Sequence, residues 1–401
     1  MKLTKLRVEQ FADVRSGGTP ATATGSYWDG GVPWITPKDL AGYEARYIAA
    51  GERDISEEGL NNSSATLLPV DTVLLSTRAP VGYVALAAVP LATNQGFKNL
   101  VCRSGIAVPK FVYYLLKQNT ELLESHATGA TFKELSGSRL KAIEFTLPEL
   151  AVQTRIAELL SAYDDLFENN RRRIALLEEA GRQLYREWFV RLRFPGHEHT
   201  RITNGVPEGW VRKPLGALAD FRLGKMLDEK TNKGDLMPYL ANVNVRWGSI
   251  DLANLREMRF EENELDTFGL RHGDIVMCEG GEPGRCALWK DQLPGMMIQK
   301  AIHRIRAHPE VSYVFLYYSL RHKGASGEMA TLFTGATIKH LPREKLALVQ
   351  FVIPPARLMA LFAEQVDALE KQIGLLEATN RRASHARNLL LPRLMSGEIA
   401  V

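Results

Sequence analysis

The sequence predicts an α+β protein in which two repeated globular domains are separated by two long, antiparallel coiled-coil helices with pseudo-two-fold symmetry. The chain has 401 residues, which is enough for two domains of about 100–200 residues each. Motifs of the first half return in the same order in the second half. Each half also changes from short apolar runs separated by Gly and Pro to a long segment with helical periodicity.

The composition is that of an ordinary globular protein, with 45% hydrophobic and 24% charged residues. A formal net charge of +4 permits nucleic-acid binding without requiring it. Three cysteines in so long a chain argue against a disulfide framework, and the spacing of Cys278 and Cys286 matches no zinc motif. Neither a signal peptide nor a run of roughly 20 apolar residues is visible. We therefore expect an intracellular, cytoplasmic protein without a metal site.

The internal repeat has a unit of about 200 residues, so it indicates two domains rather than a stacked array of short repeats. The offset between matching segments drifts only between 203 and 207 residues, as expected when loops differ on a shared scaffold. The matching segments are Phe11–Gly17 with Leu218–Gly224, Pro33–Ile35 with Pro238–Leu240, Asp71–Leu75 with Asp274–Cys278, Phe111–Leu116 with Phe315–Leu320, and Thr128–Leu135 with Thr334–Leu341.

Each repeat consists of a globular section followed by a helical section. Short apolar runs such as Thr72–Ser76, with many Gly and Pro residues between them, predict short strands, turns and one or two helices, including Pro109–Asn119. The predicted organisation is a first globular domain over 1–148, a central helix over 149–193, a linker over 194–205, a second globular domain over 206–354 and a C-terminal helical segment over 355–401.

Apolar residues in both helical sections recur at steps of three and four, which is the seam of a helix packed along another helix. The offset between copies falls from 206 at Ile156 to 199 at Ile174, which predicts that one heptad is missing from the second helix. A missing heptad keeps the seam in phase, so we expect the helices to pack on each other; separate packing on each globular domain is the alternative. The seams are Ile156, Leu160, Tyr163, Phe167, Asn170, Ile174, Leu177, Gly181, Leu184 and Trp188, and Phe362, Val366, Leu369, Ile373, Leu376, Asn380, Ala383, Arg387 and Leu390.

Prolines at both ends set the expected limits of these helices. Pro148 and Pro195 bracket the first helix, and Pro354 and Pro392 bracket the second. At about 1.5 Å per residue, a helix of about 40 residues spans roughly 60 Å. The helices are therefore predicted to act as a spacer.

Short motifs along both repeats resemble those of one protein family. Gly17–Pro20 and Tyr27–Leu40 resemble the opening of a target-recognition domain in the specificity subunits of type I restriction-modification systems. Val206–Trp210 resembles the start of a second such domain, and the two Thr-Gly-Ala-Thr segments resemble the domain ends. Leu147–Leu160 is similar to the central conserved helix, and Leu391–Ile399 to the C-terminal end. The resemblance covers essentially the whole chain, and its specificity lies in the order of the motifs.

The second copy departs from this pattern in two places. Leu223–Met226 replaces the Gly-Gly-Thr-Pro turn, and Pro355–Met359 lacks the Gln of the first copy. These departures leave the predicted fold intact, but they put in doubt any transfer of individual family residues to the second half.

The resemblance implies a non-catalytic DNA-binding subunit. Each globular domain is implied to read one half of a split, asymmetric site in double-stranded DNA, and globular domains separated by such helices would address sites about 34–36 Å, one turn of DNA, or more apart. The helices are implied to hold two adenine methyltransferase subunits, and a motor-nuclease subunit joins for restriction. S-adenosylmethionine, ATP and Mg would belong to those partners rather than to this chain.

Direct readout needs side chains that reach base edges in the major groove, typically Arg, Lys, Asn and Gln. For any one such residue in a predicted loop, a solvated surface role is the commoner alternative. Lys133 and Lys339 each follow a Thr-Gly-Ala-Thr turn, which suits a phosphate anchor; a simple closing loop is the alternative. The candidates are Lys38, Arg78, Asn94, Gln95, Lys98 and Lys133 in the first domain, and Asn242, Asn244, Arg246, Arg285, Gln299, Lys300 and Lys339 in the second.

The main alternative is an enzyme that carries its own DNA chemistry. The Asn/Asp-Pro-Pro-aromatic motif of adenine methyltransferases is absent, because Pro354-Pro355 is followed by Ala356. Glu279, Glu282 and Lys290 come nearest to a nuclease cluster, but the matching loop of the first copy has no acids, and no phosphate-binding loop is present. We therefore predict a non-enzyme; a DNA-associated structural adaptor is a further alternative, which leaves two complete globular domains unexplained.

Overall fold

The computed structural model describes residues 3–129, 133–228, 232–337 and 339–399. The chain divides into two compact units. Unit 1 comprises Met1–Arg173 and Leu375–Val401, and unit 2 comprises Ile174–Gly374. Each unit therefore holds one globular section together with parts of both long helical segments.

The globular section of unit 1 has two sheets and a separate strand pair. Its strands are β1 (Leu3–Arg7), β2 (Ala12–Ser16), β3 (Trp28–Ile35), β4 (Tyr47–Ile48), β5 (Arg53–Ile55), β6 (Val73–Thr77), β7 (Val81–Ala87), β8 (Ala92–Thr93), β9 (Phe97–Cys102) and β10 (Glu144–Pro148). The helices are α1 (Val8–Phe11), α2 (Glu57–Asn61), α3 (Pro109–Gln118), α4 (Thr120–Ser125) and α5 (Gly137–Ala142); the long helix α6 (Leu150–Tyr185) follows, with its residues up to Arg173 in unit 1. One sheet has the order β2-β9-β6-β7-β4, β3 lies between β5 and β8 in the other, and β1 pairs with β10.

Strand β6 lies at the centre of unit 1, and all of its residues are buried. Val73 packs into a core cluster with Phe111 of α3, whereas Leu74 on the opposite face packs with Phe97. Because both faces of β6 are covered, its sequence begins with the continuous apolar run Val73–Leu75 instead of alternating apolar and polar residues. Helix α3 begins at Pro109, where a proline costs no hydrogen bond, which confirms the helix predicted there.

Unit 2 repeats this architecture. Its strands are β11 (Ile202–Thr203), β12 (Val206–Pro207), β13 (Val211–Pro214), β14 (Ala219–Leu223), β15 (Asp235–Leu240), β16 (Arg256–Phe260), β17 (Ile275–Cys278), β18 (Cys286–Leu288), β19 (Met297–Ile298), β20 (Ile302–Ala307) and β21 (Gln350–Ile353). The helices are α7 (Glu262–Phe268), α8 (Tyr313–Ala325) and α9 (Arg343–Ala347); the long helix α10 (Ala356–Ser396) follows, with its residues up to Gly374 in unit 2. The sheet order is β14-β20-β17-β18, β15 lies between β16 and β19, β13 pairs with β21, and β11 pairs with β12.

The strand registers confirm the repeat. β2 pairs with β9 at Ala12 and Cys102, and β14 pairs with β20 at Ala219 and Ala307. In both units the second sheet contains a short parallel pairing, of β3 with β8 or of β15 with β19. The two sections therefore share one scaffold.

One of the sequence matches is wrong by a single residue. The registers of β6 and β17 against their partners make Gly273 the counterpart of Asp71, rather than Asp274. Asp71 and Gly273 both have positive φ, 63° and 87°, so they form the same turn. Asp274 is instead buried and pairs with Arg306 at 2.7 Å. The sequence could not fix this offset, because a strand that is buried on both faces has no alternation to align.

Within each unit the two long helices pack against each other in opposite directions, as predicted. In unit 1 the Asn170 amide donates to Asn380 Oδ1 at 2.7 Å, and Arg387, further along α10, donates to Asp164, which lies earlier in α6. In unit 2 the Phe362 ring lies 6.1 Å from that of Tyr185. The predicted seam residues are buried or half-buried in both helices, whereas neighbours such as Leu176 and Leu375 are exposed.

The predicted loss of a heptad from the second helix is wrong. After Tyr185 the first helix continues as a π-helical turn over Arg186–Val190, so the helical segment 150–190 is as long as the 41-residue α10. Pro392 lies inside α10 instead of ending it. A shift by seven residues leaves the seam in phase, so the periodicity could not reveal the true length. Among the described residues, no helix combines the length and the apolar character of a bilayer span.

Candidate nucleic-acid interface

In unit 1, segments that follow the ends of several strands meet at one place. We call this the strand-end junction of unit 1; it comprises Gly17–Gly18, residues 36–38, Thr77–Arg78, Asn94–Lys98 and Lys133–Leu135. Backbone hydrogen bonds hold the segments together: Gly17 N to Phe97 O at 3.4 Å, Gly18 N to Thr93 O at 2.8 Å, Asn94 N to Ile35 O at 2.9 Å, Thr77 N to Gly96 O at 2.7 Å, and Leu135 N to Thr77 O at 2.9 Å.

Unit 2 has the same junction with the same set of backbone bonds. Its segments are Gly224–Lys225, residues 241–243, Glu279–Gly280, Gln299–His303 and Lys339–Leu341. The bonds are Gly224 N to Ile302 O at 3.0 Å, Lys225 N to Ile298 O at 3.0 Å, Gln299 N to Leu240 O at 3.0 Å, Glu279 N to Ala301 O at 2.9 Å, and Leu341 N to Glu279 O at 2.8 Å. The backbone of the junction is therefore common to both units, and the exposed side chains differ.

A glycine is needed where β2 or β14 enters the junction. A Cβ atom on Gly17 would lie 1.9 Å from the carbonyl oxygen of Asn94, and one on Gly224 would lie 2.4 Å from that of Ile298. Although Leu223–Met226 departs from the family pattern, it retains the glycine that this position requires, Gly224. Lys225 replaces Gly18, and its Nζ donates to Arg259 O at 2.9 Å and to Glu264 at 2.5 Å.

We expect Gly17→Ala to lower the free energy of unfolding by about 1–3 kcal/mol, because the added methyl group forces a backbone carbonyl to move. Thermal unfolding of the full chain measures this, at about 2–4 °C for each kcal/mol in a unit of this size. Gly25→Ala is the matched control, because its Cβ would meet no described atom within 4 Å. Equal melting temperatures for the two variants would contradict the close approach.

The unit 1 candidates all belong to its junction. Lys38 is exposed and pairs with Glu52 at 2.6 Å, and Gln95 is exposed and accepts from the Thr19 hydroxyl. The Asn94 side chain accepts from Gly96 N at 2.9 Å and thereby shapes the turn. The remaining three are half-buried Arg78, half-buried Lys98 and exposed Lys133.

Lys98 lies inside β9 rather than in a predicted loop. Burial lowers the pKa of its ammonium group; Glu134 opposes this shift and Arg78 adds to it. A cation that is partly desolvated and close to Arg78 gains more than an exposed lysine does from a phosphate or from a base acceptor.

Two of the unit 2 candidates, Asn244 and Arg285, are held by hydrogen bonds within the fold, and the other candidates are half-buried or exposed. Asn244 is buried and both ends of its amide are occupied, by Ala241 N at 3.0 Å and Asp251 O at 3.1 Å, so this side chain supports the fold. Arg285 is half-buried and bonds Glu282 at 2.7 Å and Asn242 O at 2.9 Å. Asn242 and Gln299 are half-buried, Arg246 is exposed and lies 3.7 Å from Asp251, and Lys300 and Lys339 are exposed without an ion-pair partner among the described residues.

The first Thr-Gly-Ala-Thr segment is described only at Thr128 and Gly129, because residues 130–132 lie outside the described residues, as does Ile338, which follows the second segment. Thr128 and Glu134 exchange backbone hydrogen bonds of 3.0 and 2.9 Å, and Thr334 and His340 exchange two of 2.8 Å. The base of the loop is therefore closed in the same way in both units, and Lys133 and Lys339 directly precede the closing residue.

The acidic residues considered for a nuclease site have separate partners. The Glu279 carboxylate lies 3.1 Å from Nδ1 of His340. Glu282 pairs with Arg285, and Lys290 pairs with Glu370. Within the described ranges, no group of His, Cys, Asp and Glu side chains is placed to hold a metal ion. Cys278 and Cys286 are buried free thiols, and burial raises the pKa of Cys286 to about 12.

Sequence reasoning missed an arginine-lined pocket in unit 2. Arg304 and Arg306 alternate along β20, and Arg222 lies opposite Arg304 on β14. The signal was present in the sequence as two arginines at a spacing of two within a predominantly buried strand. It could not be interpreted until the strand register placed Arg222 beside them.

Comparison with known proteins decides the family. The type I restriction enzyme MjaIX specificity subunit of Methanocaldococcus jannaschii is 30% identical over 98% of this chain and 93% of its own length. The chain belongs to the type I restriction enzyme specificity subunits. This confirms the family resemblance and, with it, the prediction of a non-catalytic specificity subunit. The model for the type I restriction modification DNA specificity domain matches residues 2–179 of this specificity subunit.

Two further relatives agree. The MjaVIII specificity subunit of the same organism is 20% identical over 99% of this chain and 92% of its own length. The crystal structure of the type I restriction-modification S subunit from M. genitalium matches with a TM-score of 0.58 over 98% of this chain and 96% of that one, at 17% identity. That likeness confirms the predicted mixed α and β fold with long helices.

Proposed function

We propose that each strand-end junction of this specificity subunit reads one half of a split, asymmetric site in double-stranded DNA. The helices α6 and α10 set the spacing between the half-sites. In this proposal the exposed junction side chains reach base edges in the major groove, and the neighbouring lysines and arginines contact phosphates.

The observation that carries this proposal is a common junction that presents different side chains. The backbone bonds recur pair by pair, whereas Asn94-Gln95 in unit 1 is replaced by Gln299-Lys300 in unit 2. A fixed scaffold with variable surface residues suits the recognition of two different base sequences. Asn244 is left out of the reading set, because its amide is occupied within the fold.

The partners follow from the same proposal. Two adenine methyltransferase subunits dock on the helices, and motor-nuclease subunits join for restriction. S-adenosylmethionine, ATP and Mg bind to those partner subunits rather than to this chain. The cytoplasm is the proposed location, where the three free cysteines stay reduced.

Single-molecule sequencing of modified adenine tests the proposal. A host that carries this chain and its methyltransferase should modify a split motif with a fixed gap, and a host that lacks the chain should not. Replacing residues 206–354 with those of another specificity subunit should change one half of the motif only. Methylation that is unchanged without the chain would contradict the proposal.

Single substitutions in the junctions are expected to act on one half-site each. Gln95→Ala should relax the half read by unit 1, and Lys300→Ala the half read by unit 2, because a good base contact contributes about 1–3 kcal/mol of discrimination. The modified fraction of sites with one altered base measures this. Lys213→Ala is the control, an exposed lysine on β13 outside the junction. Equal loss at both halves from either variant would argue against separate reading.

A further inference from the structure

A pocket of about 360 Å³ in unit 2 is lined by four arginines. Arg304 and Arg306 lie two residues apart on β20 and therefore project from the same face of the strand. Arg222 of β14 pairs directly with Arg304, and Arg343 lies at the start of α9. We call the space between these four residues the arginine pocket. Its volume lies within the range of sites that hold small ligands.

The positive charge of this pocket is only partly balanced. Arg306 forms a bidentate pair with buried Asp274, with two distances of 2.7 Å. Arg222, Arg304 and Arg343 form no ion pair within 4.0 Å with any described residue. Three cations without a carboxylate partner therefore face one cavity.

Two carboxylates also line the pocket, but both lie at its exposed side. The Asp266 side chain is 91% exposed and pairs with Arg271 at 2.9 Å, outside the set. The Asp220 side chain is 82% exposed and lies 3.8 Å from His308. Charges in open solvent are strongly screened, so these two acids do not neutralise the inner arginines.

Arg304 is the least satisfied member of the set. The residue is 5% exposed, its Nη1 donates to Asp266 O at 3.1 Å and to Gly269 O at 3.0 Å, and its Nε has no hydrogen-bond partner. Burial lowers its pKa, and the neighbouring Arg306 lowers it further. Like charges directly opposite on neighbouring strands, as with Arg222, are destabilising. A bound anion would offset this repulsion between neighbouring guanidinium groups.

The scaffold itself does not need these arginines. The strand registers make Arg15, Asn99 and Val101 of unit 1 the counterparts of Arg222, Arg304 and Arg306. Unit 1 forms the same strand pairing with one arginine at these positions. The arginine set is therefore an addition to unit 2 and is not required by the fold.

The arginine pocket is continuous with the junction of unit 2. An adjoining cavity of about 510 Å³ shares Arg222 and Arg343 with it and is also lined by Glu279, a junction residue. A polyanion seated on the junction could therefore reach the arginines. The planar guanidinium fork matches the geometry of phosphate oxygens.

We propose that the arginine pocket binds a phosphate group, and that its source is a backbone phosphate of the DNA held by the unit 2 junction. The choice of DNA as the source rests on the proposed function; the phosphate chemistry does not. Free phosphate or pyrophosphate is the other source of the same ligand chemistry.

The first arm of the test measures DNA affinity of the full chain against salt concentration. Each phosphate contact contributes about 0.9 to the slope of log K against log salt. Because Arg222 and Arg343 are exposed, the double variant Arg222→Gln/Arg343→Gln should fold normally. It should reduce the slope by about 1 and weaken matched and unmatched duplexes alike. Arg15→Gln, at the counterpart of Arg222 in unit 1, is the matched control and should leave the slope unchanged.

The second arm measures thermal unfolding with inorganic pyrophosphate at constant ionic strength. Stabilisation of the wild type but not of the double variant supports a phosphate site. If this occurs while the DNA slope is unchanged, the source is free phosphate and the DNA assignment is overturned. If neither arm distinguishes the double variant from Arg15→Gln, the pocket binds no phosphate. A chain that binds no DNA at all would refute the proposed function, and the pyrophosphate arm would still decide the pocket.

Discussion

Replacing Phe362 with alanine is expected to lower the free energy of unfolding of unit 2 by about 3–5 kcal/mol. Phe362 is fully buried where α10 packs against α6 within unit 2. Removing its ring leaves a cavity among aromatic side chains that cannot close in without moving both helices. Its ring neighbours are Tyr185 at 6.1 Å, Trp188 at 6.0 Å, Phe189 at 5.0 Å and Tyr318 at 5.5 Å.

Thermal unfolding of the full chain, followed by circular dichroism, measures this effect. Leu361→Ala is the matched control, because Leu361 is the preceding residue of the same helix and is 37% exposed. Its loss should cost clearly less, since much of its surface already contacts water. A similar fall in melting temperature for both variants would mean that the helix pair of unit 2 is not held at Phe362.

Replacing Asp164 with alanine is expected to lower the free energy of unfolding of unit 1 by about 3–5 kcal/mol. The Asp164 side chain is 13% exposed and accepts hydrogen bonds from Tyr114 at 2.6 Å and from Arg387 at 2.7 Å. Arg46, whose side chain is 9% exposed, lies 3.8 Å away. Removing the carboxylate leaves the positive charge of Arg387 without its ion-pair partner, and among the described carboxylates Arg46 keeps only Asp165.

The controls separate burial from charge. Asp13→Ala removes a partner of Arg103 at a similar distance, 2.8 Å, but this pair is exposed and should contribute no more than about 1 kcal/mol. Asp164→Asn keeps an acceptor for Tyr114, so its free energy of unfolding should lie between those of the wild type and Asp164→Ala. If Asp164→Ala and Asp13→Ala unfold at the same temperature, the buried network does not hold the helices of unit 1 together.

These two predictions describe different solutions to one packing problem. Unit 1 fixes its helix pair with polar groups, Asp164 with Arg387 and Asn170 with Asn380. Unit 2 uses an aromatic cluster around Phe362. Buried polar pairs can fix the register of packed helices at some cost in stability, whereas aromatic packing contributes mainly through buried area.

The candidate site was only partly accessible from the sequence. The segments that were selected from the sequence do lie together, since the loops with Arg78, Asn94 and Lys133 meet at one junction. The sequence could not show that Asn244 turns inward or that Lys98 lies within a strand. The identity of an Asn or Lys residue does not show whether its side chain is buried in the fold or exposed in a loop. That depends on the residues that pack around it in the tertiary structure.

The sequence by itself determined the repeat, the family and the helical seams. These are properties of order and periodicity along the chain, and the buried or half-buried seam from Ile156 to Trp188 follows that periodicity. Tertiary structure decided the rest. It showed that Gly273, and not Asp274, is the counterpart of Asp71, and that the first helical segment ends at Val190. It also showed that Arg222 lies opposite Arg304. Each of these depends on strand register or on contacts between distant segments, and a shift by one residue or by one heptad leaves the apolar pattern unchanged.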